Sequence, residues 1–436
     1  MGKLTPKEER KLLRSAEQLF SMKSLTVPTS IKDIPVEHYL TRKLSIKKGW
    51  SVYLTDSGHE HFRTIVDILD QADFFDGMTS YSDIWGAWHK AVRKWLAEGL
   101  MPDSVDEVLQ SINEQITQEI DNHTFIVPIR GLELDGLDSF AIGALTIFRM
   151  SVDEFASAGV KHDHADVPRL LELNKNTLWL RGTMRGTEKV ALRKFSHQAT
   201  LTAGMLAITA AAMYEGGASS FRIGIVLSPE EVIGRSIWFS WSEQVRSLTT
   251  HYELPRGQFF PLNASLMDES DLSRIIRRGF AILHTVNRTQ LEDAIARSVY
   301  WFSDAHRDSL PVMQLIKYWS CVEAFFSFKE EEITHAVSSG LASLLAFGGF
   351  KFVPVAEYST IKKKISTLYK HRSRAVHRGS HQHVTERDLA QFSQWVAWMI
   401  ICMVVLVEQG YTTLEQVKEQ TDRLDGLASR EHKSEG

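Results

Sequence analysis

Twelve consecutive residues, VAWMIICMVVLV (396–407), follow Trp395 without one charged side chain. As a helix this run spans only about 18 Å, short of a bilayer core of roughly 30 Å. It must therefore be buried inside protein, and several amphipathic helices are needed to cover it. Thr385 stands ahead of it as an N-cap, with Asp388 in the first turn, where carboxylates favour the helix dipole. The spacing predicts a helix over 385–408 at the centre of a bundle, with no membrane as partner.

The rest of the chain is consistent with such a bundle at its C-terminal end. Helical patterns cover Arg288–Asp304, the apolar VMQLIKYWSCVEAFFSF, EEEITHAVSSGLASLLAF and Tyr358–His377, the last closed by Gly379. Short connections between them suggest antiparallel packing. The middle differs. HTFIVPIRGLELDGLDSFAIGALTIFRMS has β-branched and aromatic runs broken by Pro128, Gly131 and Asp135-Gly136, which reads as strands and turns. A long Ala-rich helix is expected over Val190–Tyr214. Ahead of these, Trp85, Trp88, Val92, Trp95 and Leu96 fall on one helical face, a spacing that suits a core. The expectation is an α+β chain. A mainly helical region (1–114) precedes a mixed α/β domain (115–285), a helical bundle (286–425) and a polar tail (426–436).

Composition narrows the function. The 436 residues hold 50 Lys+Arg and 54 Asp+Glu, a net charge of −4. A histone-like chain, basic throughout, is excluded, and any nucleic-acid surface must be local. Cys321 and Cys402 are too few for a disulfide framework or a cysteine zinc ribbon and sit in apolar runs. The N-terminal MGKLTPKEERKLLRSAEQLF lacks a signal-peptide pattern. Both features suit a cytoplasmic protein.

One local surface stands out. From Tyr358 to Thr385 there is no Asp or Glu, while Lys362, Lys363, Lys364, Lys370, Arg372, Arg374 and Arg378 are joined by His371, His377, His381 and His383. Such a patch attracts phosphates; a solvated face balanced by acids from elsewhere would have the same composition. Arg372 and His377 form Arg-x4-His. Residues five apart on a helix are about 140° apart, so the two meet only if the helix ends or loosens near His377. Arg374 and His377 share a face more readily. Spacing alone leaves either arginine eligible.

The segment LYKHRSRAVHRG resembles the signature of the HEPN superfamily, and within it the Apea-like branch with its Tyr-x-x-Arg-Ser-x-x-Val-His-Gly pattern. Tyr369, Arg372, Ser373, Val376 and His377 match position for position. Arg378 is interposed before Gly379, and Ser373 stands where many HEPN nucleases carry Asn, Asp or His. Glu323, in CVEAFFSF, resembles the glutamate of that branch's earlier helix. The resemblance covers about residues 290–425. The FIVPIRGLEL region resembles, loosely, a domain often fused ahead of such modules.

The resemblance implies a metal-independent endoribonuclease with no cofactor, acting as a homodimer through the bundle. The ribose 2′-OH supplies the nucleophile, and the products are a 2′,3′-cyclic phosphate and a 5′-OH. His377 is the expected proton-transfer group and Arg372 the transition-state stabiliser. Glu323, Ser373 and Tyr369 would support them. Lys362, Lys363, Lys364, Lys370, Arg374 and Arg378 would bind the RNA backbone. Prokaryotic anti-phage defence, a tRNA target and a phage-derived trigger follow by analogy, with the N-terminal 290 residues, the mixed domain 115–285 among them, as the sensing or restraining part. Replacing Arg372 or His377 with Ala is expected to abolish cleavage without disturbing the fold, both being placed at a helix end. A bundle that binds RNA or nucleotide, or dimerises, without cutting is the alternative. His377, His381 and His383, His59-Glu60-His61 and His162-Asp163-His164 do not form a recognised zinc pattern. P-loop and Gly-x-Ser-x-Gly signatures are absent from the sequence.

Overall fold

The computed structural model describes residues 2–27, 38, 41–47, 50–151, 154, 172, 177–214, 216–226, 237–240, 249–252, 259–326, 333–378 and 384–434. The chain divides into two compact units. Met1–Phe125 and Thr183–Phe195 form the first; Ile126–Gly182 and Ser196–Gly436 form the second.

In the first unit, helix α1 (Pro6–Leu19) opens with Thr5 and Glu8 in a reciprocal capping box and Pro6 at the first turn. Strands β1 (Leu25–Thr26), β2 (Lys43–Lys47) and β3 (Trp50–Leu54) make an antiparallel sheet in the order β1-β3-β2. Helices α2 (Asp56–Gln71), α3 (Tyr81–Glu98) and α4 (Val105–Thr117) follow. The tryptophan face of α3 is core as expected: Trp88 and Trp95 are buried against Phe62, Leu12 and Ile112. Gly99, at φ 69°, ends α3 in the left-handed conformation that a Cβ disfavours. The small sheet is an addition to the helical region expected here. Its strands are five residues or fewer, and KLSIK carries two lysines that mask its alternation.

The second unit contains a five-stranded sheet ordered β6-β7-β8-β4-β9, from β4 (Asp121–Arg130), β6 (Ser139–Ile142), β7 (Leu145–Arg149), β8 (Leu178–Gly186) and β9 (Gly224–Ile225). The division between units passes within β4 and β8 and within helix α5 (Glu188–Met213). Strand β5 (Leu132–Leu134) pairs in parallel with β12 (Phe260–Leu262), and β10 (Ile237–Ser240) with β11 (Thr249–Tyr252) makes a hairpin.

Beyond the one-turn helix Gly217–Ser220, the described residues of this unit form the helices α6 (Asp271–His284), α7 (Gln290–Arg307), α8 (Pro311–Phe326), α9 (Ile333–Phe347), α10 (Tyr358–Arg378), α11 (Glu386–Glu408) and α12 (Leu414–Ser434). Helix α11 contains the apolar run and packs against α6, α7, α8 and α9. Trp395, Val396, Met399, Ile400 and Met403 are 0–2% exposed; burying each stabilises by roughly 1.5–3 kcal/mol before entropy is counted. At 23 residues α11 is longer than the run alone suggests. By length and composition it could cross a membrane, yet 67% of its most apolar stretch is buried inside the protein. Thr385 caps it through the Asp388 N–H, as expected.

The units do not follow the expected boundaries, because sheet and bundle share one body. Helix α6 occupies what was read as the end of the mixed domain. Residues 426–434, expected as a polar tail, continue α12 to Ser434. Cys321 and Cys402 are free and buried.

Candidate functional site

Helix α10 buries Tyr358, Ile361, Ile365, Leu368 and Tyr369, the three-and-four spacing of a core-facing stripe. The next position on that stripe is Arg372. A guanidinium placed there loses water and needs a partner. Helix α8 supplies it: Arg372 Nη2 donates to the Glu323 carboxylate at 3.0 Å, with each side chain 20% exposed. The guanidinium lies 5.7 Å from the centre of the Tyr369 ring, and Trp319 meets that ring edge-on at 4.9 Å. Burial pushes the Glu323 carboxyl above its usual range; the Arg372 charge and a Tyr369 hydroxyl donor oppose that rise. Burial, then the Glu323 charge, raises the Tyr369 hydroxyl. Arg372 Nε is buried with no acceptor among the described residues. The structure thus joins Arg372, Glu323 and Tyr369 in one cluster, while Ser373 is only half-buried beside it.

His377 is not in that cluster. Helix α10 is regular through Arg378, so it does not loosen at His377, and Arg372 and His377 stand about 140° apart on it. Arg374, His377 and Arg378 are all exposed. His377 and Arg374 are separated by only about 60° around the axis, so within one chain the histidine shares its face with Arg374. Gly379, the expected stop, and His381 and His383 lie outside the described residues.

The lysines divide into two groups. Lys362 Nζ is 2.6 Å from Asp425 of α12, which also accepts from the Tyr358 hydroxyl at 2.6 Å. Burial would raise the Asp425 carboxyl, but bonds from Lys362 and Tyr358 hold it below its usual range. Lys364 donates to Gln391 and lies 5.6 Å from the Trp395 ring centre. These two expected RNA ligands are half-buried and tied to partners on α12 and α11. Lys363 and Lys370 are exposed.

A groove of about 270 Å³ separates α10 from the start of α11, lined by Thr360, Lys363, Lys364, Thr367, Leu368, His371 and Asp388. The two threonines, His371 and Asp388 were not read as one site, because only packing brings α11 alongside α10. Asp425 was missed for the same reason, standing 63 residues from its lysine.

Among the described residues no three His, Cys, Asp or Glu side chains are placed to share a metal ion; His162, Asp163 and His164 lie outside them. Burial raises both thiols, that of Cys402 to about 12, so neither is a ready nucleophile. No protein-family model, curated protein or solved structure matches the chain.

Proposed function

We propose that the chain is a metal-independent endoribonuclease built on a HEPN-like bundle. The observation that carries this reading is the C-terminal end of α10: His377 is exposed between the exposed Arg374 and Arg378, one and a half turns past the oriented Arg372. That end presents an imidazole, able to accept or donate a proton, beside permanent positive charge. RNA needs little more, because it carries its own nucleophile.

In the proposed step His377 takes the proton from the ribose 2′-OH. The 2′-oxygen bonds to phosphorus, and the P–O5′ bond breaks. The departing oxygen takes up a proton from water, giving the 5′-OH opposite a 2′,3′-cyclic phosphate. Arginine stabilises the added negative charge on the phosphorane. Since Arg372 and His377 diverge on one helix, a cleft using both is completed by a second copy of the chain. The role in anti-phage defence, with the N-terminal 290 residues as the sensing or restraining part, belongs to this proposal by analogy alone. The test is chemical. An RNA should be cut to cyclic-phosphate ends, while the same sequence with 2′-deoxyribose at the scissile position should survive. Cutting of the deoxy substrate refutes the mechanism.

One observation favours a second reading. The Glu323 carboxylate already neutralises Arg372 in the single chain, as a structural ion pair would. On that reading the bundle binds RNA or nucleotide, or dimerises, without cutting it.

A further inference from the structure

The groove beside α10 belongs to a longer feature. Thr360, Lys363, Thr367, His371, Arg374 and Arg378 recur every three to four residues and so form one stripe along the helix, about 27 Å long. Its first four members line the groove against α11. Its last two are exposed at the end that carries His377. Lys363, Arg374 and Arg378 make no ion pair with a described acid, and Lys370 lies at the stripe's edge, also exposed. Lys364, tied to Gln391, forms part of the groove wall. Asp388 is the one acid in the lining, and it accepts from the Thr385 hydroxyl at 2.6 Å.

We propose that this stripe is a track for the backbone of single-stranded RNA, leading the strand along α10 to His377. The inference rests on the reading of RNA as substrate and adds where the strand lies. Lys363 at one end, and Arg374 and Arg378 one turn apart about 16 Å further along, give fixed positive charges at intervals that suit a repeating phosphate chain; Thr367, between them, already donates its hydroxyl to the Lys363 carbonyl at 3.0 Å. A protein partner would need buried apolar anchors. The stripe has none: its members are polar, and Leu368 in the groove is already 5% exposed. With no Phe, Tyr or Trp among its members and His371 the one ring in the stripe, the track holds backbone rather than a run of stacked bases, so it should discriminate sequence little.

The test uses the full chain and a fluorescent 2′-O-methyl oligouridylate, which lacks the nucleophile and is not cut. Anisotropy is followed from about 0.05 to 0.4 M salt. For single strands each phosphate contact contributes about 0.7 to the slope of log affinity against log salt, or about fivefold in affinity near 0.1 M. Lys363→Gln and Arg374→Gln should each weaken binding about fivefold there and flatten the slope by about 0.7. The pair together should cost about 25-fold if additive. Asp388→Asn should strengthen binding, a change of opposite sign that a damaged fold does not produce. Unchanged affinity and slope in the variants, or no binding by the wild type, overturns the track. So does a polyglutamate probe that binds as tightly and loses as much, which would mark an acidic protein partner instead. Binding that follows these rules while unmodified RNA is never cut would sink the nuclease and leave the track standing.

Discussion

Arg372→Ala should destabilise the protein, contrary to what a helix-end position suggests. The substitution leaves the Glu323 carboxylate one-fifth exposed, without the charge that now offsets its burial. Removing one partner of a fully buried pair costs about 3–5 kcal/mol, and an exposed pair is worth about 0–1 kcal/mol. At this exposure the expected loss is about 2 kcal/mol at pH 7. Part of it is the contact over the Tyr369 ring. The pH dependence has a definite sign. Burial already places the folded Glu323 pKa above its unfolded value, and the variant raises it further. As pH falls toward that value the folded carboxyl binds a proton before the unfolded one does, so the native state gains. The deficit relative to wild type should therefore shrink between pH 7 and pH 5. Adding Glu323→Gln should recover at least half of it, because the uncompensated charge is gone. Urea unfolding of wild type, both single variants and the double variant measures this cycle. A single variant as stable as wild type, or a double variant as weak as the sum of the singles, would refute the coupling.

Two further predictions concern the interior. His306 is buried; its Nε2 accepts from the Ile223 N–H at 3.0 Å, and burial drives its pKa down to about 4. Stability from this group is complete above about pH 6.5 and is lost as pH falls toward 4, by up to about 3 kcal/mol. His306→Gln should flatten that limb of a pH–stability curve, and an unchanged limb would contradict the assignment. At Gly340 an added Cβ would meet the buried Phe326 ring at 2.4 Å. Gly340→Ala should therefore lose about 1–2 kcal/mol in urea despite the better helix propensity; a gain would show that the ring yields freely.

The bundle was legible where periodicity is strong. The apolar run dictated α11, and Thr385 marked its start. The tryptophan face of α3 read directly as core. Strands β2 and β3 were hidden because lysines and a short length blur alternation. Helix α6 was hidden by its place after a strand-rich stretch, although Ile275, Ile276, Phe280 and Leu283 have helical spacing and are buried. At the candidate site, the resemblance already grouped Glu323 and Tyr369 with Arg372, but that the carboxylate meets the guanidinium directly, and that His377 stands apart, depends on how α8 packs against α10. Charge counting overstated the basic surface, since Lys362 finds Asp425 and Lys364 finds Gln391 only after α12 and α11 pack against α10. The divergence of Arg372 and His377 depended on whether the helix stays regular, which spacing left open.

His377 is the cleaner probe of catalysis, because its exposed side chain bears none of the packing that Arg372 does. The most direct measurement is therefore cleavage of RNA by purified wild type and His377→Ala, in EDTA, with end-group analysis of the products. The account predicts EDTA-resistant cutting to 2′,3′-cyclic phosphate and 5′-OH ends. In the equally stable variant the rate should fall by about 10²–10⁴. Cutting that survives His377→Ala at the wild-type rate would contradict it.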